Sequence, residues 1–70
     1  MQALTEAKPR ENYVIKWMLG EGSVVEALRE IRLKEGVQLR LLGTNRHYVR
    51  IRRDGVQYAL DSDLACRIKV

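Results

Sequence analysis

The sequence has no phenylalanine and only one each of tryptophan, proline, histidine and cysteine. A single cysteine, Cys66, excludes an intramolecular disulfide and fits a reducing compartment. One His and one Cys, at positions 47 and 66, cannot build a structural zinc site, which needs clustered ligands. Asp61 and Asp63 are too few for a calcium loop. Gly20 and Gly22 lack the third glycine and the lysine of phosphate-cradling loops. No stretch approaches the ~20 apolar residues of a membrane-spanning helix. The start of the chain carries no apolar signal-peptide run, so the expected location is the cytoplasm. Catalysis requires convergent reactive groups, and none are clustered here. The expectation is a binding protein rather than an enzyme, with no cofactor and no metal site.

What is present suits one small folded domain over residues 1–70. The chain is 46% hydrophobic and 31% charged, which is too apolar for disorder. Its bulk comes from Leu, Ile and Val, which pack well on a pleated surface. The net charge of +4 is unevenly placed. Residues 1–35 carry six Lys/Arg and six Glu, whereas residues 36–70 carry seven Lys/Arg against three Asp. A basic half can attract nucleic acid, a membrane surface or an acidic protein, or simply keep the surface solvated.

The hydrophobic period changes along the chain. Residues 1–11 read as a polar, mobile lead-in that docks at Leu4. Asn12–Met18 alternates as one strand, with Tyr13, Ile15 and Trp17 on one face and Val14, Lys16 and Met18 on the other. Ser23 and Glu26 have the spacing of a capping box. Val24, Leu28 and Ile31 follow at helical spacing, Glu30–Lys34 is a favourable pair, and Gly36 can end the helix. The predicted helix is 24–34.

After Gly36 the period is two. Val37, Leu39 and Leu41 point inward, a turn follows at Gly43–Asn45, and Val49 and Ile51 point inward again. Asp54-Gly55 is a two-residue hairpin signal. Val56, Tyr58 and Leu60 alternate, Asp61 can cap one helical turn, and Cys66, Ile68 and Val70 close the chain inward. The implied fold is mostly β: a small antiparallel barrel of five strands, with one α-helix between strands 1 and 2 plugging one end.

Tyr48, Arg50 and Arg52 share the outward face of one strand, and Arg40 lies on its neighbour. An aromatic among arginines can stack a base while guanidinium groups hold phosphate. The same four residues can meet an acidic protein patch through bidentate pairs. The plainer alternative is a solvated face whose arginine stems cover apolar surface.

The passage Leu28-Arg29-Glu30-Ile31-Arg32-Leu33 followed by Lys34–Leu42 resembles the helix-to-strand segment LRELGL-x-PG-x-x-V-x-V-L of the ferrous iron transport protein A family, FeoA. Val56–Leu60 and Leu64–Val70 are similar to its closing segment, and Leu4–Pro9 to its opening leucine and turn. Three turn positions depart from that pattern. Arg10 and Arg32 stand where the family has glycine, and Glu35 where it has proline. The resemblance implies an SH3-like barrel and a cytoplasmic, bacterial accessory of ferrous iron uptake. It implies as partner the cytoplasmic G-domain region of a FeoB-like membrane iron permease, contacted by protein–protein binding. Arg40, Tyr48, Arg50 and Arg52 are the candidate contact residues. A stand-alone nucleic-acid-binding barrel is the alternative, and direct binding of a divalent metal a third.

Overall fold

The computed structural model describes residues 1–70. A 3₁₀ turn at Leu4–Glu6 leads into β1 (Glu11–Val14) and β2 (Trp17–Met18). Helix α1 spans Gly22–Glu30 and precedes β3 (Gln38–Thr44), β4 (Tyr48–Arg53) and β5 (Val56–Asp61). A single turn, α2 (Ser62–Ala65), and a short β6 (Ile68–Lys69) end the chain. Four strands form an antiparallel sheet in the order β1-β3-β4-β5, and β2 pairs with β6 in a second sheet.

The alternation of β3 and β4 settles the core. Leu39, Leu41, Val49 and Ile51 are sealed from solvent and join Leu4, Ile15, Leu28, Leu33 and Ile68 in one cluster. Each such side chain contributes about 1.5–3 kcal/mol by leaving water. Both chain ends are stitched together: the Gln2 N–H donates to the Val70 carbonyl at 3.0 Å, and the Val70 N–H donates back at 2.8 Å. The hairpin at Asp54-Gly55 forms as its sequence indicates. Its residues have φ of 49° and 79°, and Arg53 faces Val56 across the turn. Asp61 caps α2, its Oδ1 accepting from the Asp63 N–H at 3.1 Å.

Several local expectations are corrected. The single strand over 12–18 divides in two, so the chain has six strands rather than five. The Ile15 N–H donates to Val37 on the β3 side, and the Lys16 N–H donates to Lys69 of β6. The chain changes sheets at this corner, which breaks the period of two. Ile15 and Met18 are buried, and Trp17 is 47% exposed. Val56 likewise lies exposed at the mouth of its hairpin. Cys66 is exposed, not inward, because it caps the C-terminus of α2, where its Sγ donates to the Asp63 carbonyl.

Helix α1 also has other ends than its sequence signals. It starts at Gly22 with Glu21 as N-cap, so Ser23 lies inside the first turn and no capping box forms. It stops at Glu30. The Arg32 N–H donates to the Arg29 carbonyl and the Leu33 N–H to the Leu28 carbonyl, at 2.8 and 3.0 Å. These are the paired bonds of a Schellman cap, with Arg32 in its left-handed position at φ 63°. Glu30 and Lys34 therefore no longer share a helix face, and they form no ion pair. Gly36, at φ 89°, instead occupies the third position of a tight turn closed by the Val37 N–H on the Lys34 carbonyl.

Candidate functional site

The outward side chains of the four-stranded sheet form a polar, basic face. Arg40 on β3 and Arg52 on β4 are direct cross-strand partners. Asn12 flanks Arg40 from β1, and Gln57 flanks Arg52 from β5. One step along, Arg50 lies between Gly43 and Ala59, and Tyr48 faces Asp61 at the end of the strand. Arg40, Tyr48, Arg50 and Arg52 are all exposed. The four residues singled out from the sequence are thus brought onto one surface.

Local structure places each of them. The Asn45 side chain accepts from the His47 and Tyr48 N–H groups at 2.7 and 2.8 Å, which fixes where β4 begins. Tyr48 is 54% exposed there, its ring edge-on to His47 with centroids 6.5 Å apart. A bulge between Leu41 and Gly43 shifts the register of β3 against β4. It puts a glycine under Arg50. A Cβ at Gly43 would lie 2.9 Å from the Arg50 guanidinium nitrogen Nη2, so the missing side chain lets Arg50 lie across the neighbouring strand.

The electrostatics of this face are one-sided. The only ion pair in the protein joins Arg53 to Asp54, which also lines a groove with Arg40 and Arg52 at the edge of this face. Arg40, Arg50 and Arg52 therefore have no carboxylate partner. Like charges directly across a strand pair are destabilising. Such a face is suited to receive an acidic surface, with the planar guanidinium groups positioned for carboxylates and Tyr48 offering a ring for packing. Asn12, Gln38 and Gln57, which border the arginines, were not legible as site residues. Their place depends on the β1–β3 and β4–β5 registers, for which single residues carry no signal.

No group of three or more His, Cys, Asp or Glu side chains converges as a metal site. The one displaced titration is that of Tyr13. Partial burial raises its hydroxyl pKa above the ordinary value, and the hydrogen bond to Glu11 and its negative charge raise it further.

The FeoA domain pattern matches residues 2–70. The chain belongs to the FeoA domain family. Membership makes it a small protein related to ferrous iron transport, in a family of non-catalytic domains. The SH3-like architecture recurs in solved structures of FeoA proteins. The crystal structure of the iron uptake regulatory protein FeoA superposes with a TM-score of 0.86 at 24% identity, over 94% of this chain and 89% of that one. The FeoA protein of Chlorobium tepidum superposes with a TM-score of 0.83 at 18% identity, over 97% of this chain and 67% of that one. The same fold is found inside a larger protein: the manganese-activated repressor ScaR matches with a TM-score of 0.88 at 25% identity, over 96% of this chain and 33% of that one. The FeoA-type chain thus spans about a third of that repressor's length. No curated protein matches it in sequence. No helix is long and apolar enough to cross a membrane.

Proposed function

We propose that this FeoA-family domain is a cytoplasmic accessory of ferrous iron transport. It modulates a membrane iron permease by binding the permease's cytoplasmic G-domain region. The contact surface is the outer sheet face carrying Arg40, Tyr48, Arg50 and Arg52. The observation that carries this reading is the Arg40–Arg52 cross-strand pair, exposed and without any carboxylate partner within the chain. Repulsion across that pair is relieved when an acidic surface docks. Arginine and tyrosine are also the residue types that most often dominate protein interfaces.

The test is a titration of the isotopically labelled domain with the permease's purified cytoplasmic domain, followed by NMR. Amide shifts are expected along β3 and β4, centred on Arg40 and Arg52. Charge reversal at Arg52 (Arg52→Glu) should weaken binding by about tenfold or more, the range of a central interface arginine. Unperturbed spectra at saturating partner concentration would remove the proposal. A mobility shift of nucleic acid that weakens steeply with salt would instead assign the face to phosphate backbones.

A further inference from the structure

Arg53 follows Arg52 on β4 and therefore points to the opposite side of the sheet. Its side chain is only 11% exposed. Nη1 donates to Asp54 Oδ2 at 2.8 Å, and Nη2 reaches the Tyr58 hydroxyl at 3.4 Å. The guanidinium carbon lies 6.0 Å from the Tyr58 ring centroid. Nε is buried and has no hydrogen-bond partner. It is the one buried side-chain polar atom in the protein left in this state. Nε is sealed from the cleft, so the guanidinium meets solvent only through the remaining exposed part of the side chain.

Arg53 lines a cleft of about 770 Å³, a volume in the range of small-molecule sites. Arg29 from the last turn of α1, Arg32 from its cap and Lys34 from the following loop line the same cleft. Against these four cations stands one carboxylate, Asp54, which is already engaged by Arg53. Cations at a helix C-terminus complement its dipole, but that end carries only about half a negative charge. Arg29, Arg32 and Lys34 together exceed what the dipole accounts for. The cluster is also kept at a conformational cost. Arg32 holds a left-handed φ of 63°, where glycine would be relaxed.

We propose that this cleft binds a small polyanion of the phosphate class, such as a diphosphate group. The exposed part of the Arg53 guanidinium contacts one of its oxygens, and Arg29, Arg32 and Lys34 neutralise the rest of its charge. Arginine forks match phosphate geometry, and lysine adds a mobile point charge. A phosphate is favoured over an acidic peptide by the lining. Val37 is its only apolar residue, so the cleft offers no seat for peptide side chains. The cleft adjoins the outer sheet face, since Gln38 and Asp54 also line a groove with Arg40 and Arg52.

The experiment follows arginine Nε–H resonances of the intact domain during titration with inorganic pyrophosphate at constant ionic strength. The Arg53 Nε–H signal is expected to move saturably, with half-saturation below ~1 mM. Arg29→Gln and Lys34→Gln change exposed residues and leave the fold intact. Each should weaken binding about five- to tenfold, the loss of one charge-assisted contact. An Arg53 signal that stays still or moves without saturating overturns the proposal. So do equal shifts at Arg40 and Arg52, or tighter binding of an oligoglutamate peptide than of pyrophosphate.

Discussion

Replacing Arg32 by glycine should stabilise the protein. The residue occupies the left-handed cap of α1 at φ 63°, with the cap's two backbone hydrogen bonds in place. A side chain there suffers from the contact between Cβ and backbone, about 1–2 kcal/mol. Glycine removes that strain and keeps both bonds. It also loosens the unfolded chain, which takes back roughly 0.5–1 kcal/mol. The net gain is about 0.5–1 kcal/mol. Unfolding entropy is about 2.1 cal/mol/K per residue, or roughly 150 cal/mol/K for a chain this size, so Tm should rise by about 3–7 °C. Arg32 is exposed, so no packing is lost. Relief of repulsion among the cleft cations could produce a similar sign by another route, and Arg32→Ala separates the two. Alanine removes the charge but retains the strained Cβ, and it should leave Tm almost unchanged. Both variants are read by calorimetry at low and high salt. Equal stabilisation by alanine and glycine, or none by glycine, would refute the backbone argument.

Core truncation at Leu41→Ala should cost about 2–5 kcal/mol, a large part of the roughly 4–10 kcal/mol expected of a domain this small, and urea unfolding measures it. A midpoint close to that of the parent would mean that the sheet's inner face is not the core. Gly43→Ala should preserve the fold but push the Arg50 guanidinium off β3, since the new Cβ meets only the end of a flexible side chain. The Arg50 Nε–H signal should shift, and binding of the permease domain should weaken if Arg50 acts from that pose. The raised pKa of Tyr13 makes a pH-dependent contribution to stability. It is complete below the unfolded tyrosine value of about 10 and is lost as pH climbs through the raised folded value. Denaturation measured across alkaline pH should show this loss in the parent and not in Tyr13→Phe, and matching profiles would contradict it. Glu35→Pro should add about 0.4–1 kcal/mol, because position 35 precedes Gly36 in a turn whose second residue favours proline. A fall in Tm would show that the backbone at position 35 is not preset for it.

The central strands were legible because one physical rule governs them. In β3 and β4 a buried face alternates with a wet one, and Leu39, Leu41, Val49 and Ile51 obey it without interruption. The arginines and Tyr48 of the outer face follow from that same rule. Where the rule fails, a three-dimensional event intervenes. The corner at Ile15 and Lys16 hands the chain from β3 to β6, so Trp17 and Met18 exchange the sides their spacing implies. The end of α1 was misplaced because the sequence offers a glycine at position 36, whereas the chain turns four residues earlier on an arginine. Side-chain type announces a left-handed residue only when it is glycine or a short Asn/Asp residue such as Asp54. Arg32 is neither, and only the FeoA pattern, with glycine at that position, marked it.

Adjacent arginines on β4 show why half of the charged surface was hidden from the sequence. Strand alternation in the sequence puts Arg52 on the outward face with Tyr48 and Arg50, and gives Arg53 no partner. The pleat sends Arg52 and Arg53 to opposite sides, where they meet different neighbours. Arg52 joins Arg40 on an open sheet face suited to a broad protein contact. Arg53 sinks beside Tyr58 and shares a cleft with residues that come more than eighteen positions earlier, from the end of α1 and the loop beyond. The first grouping needs only strand alternation and a hairpin. The second needs the helix to stop at Glu30, because one more turn would carry Arg32 onto the helix surface. The same cap that strains Arg32 therefore assembles the cleft. This couples the two tests: Arg32→Gly should raise Tm and at the same time weaken pyrophosphate binding. A variant that gained stability with undiminished binding would separate the strained cap from the anion site.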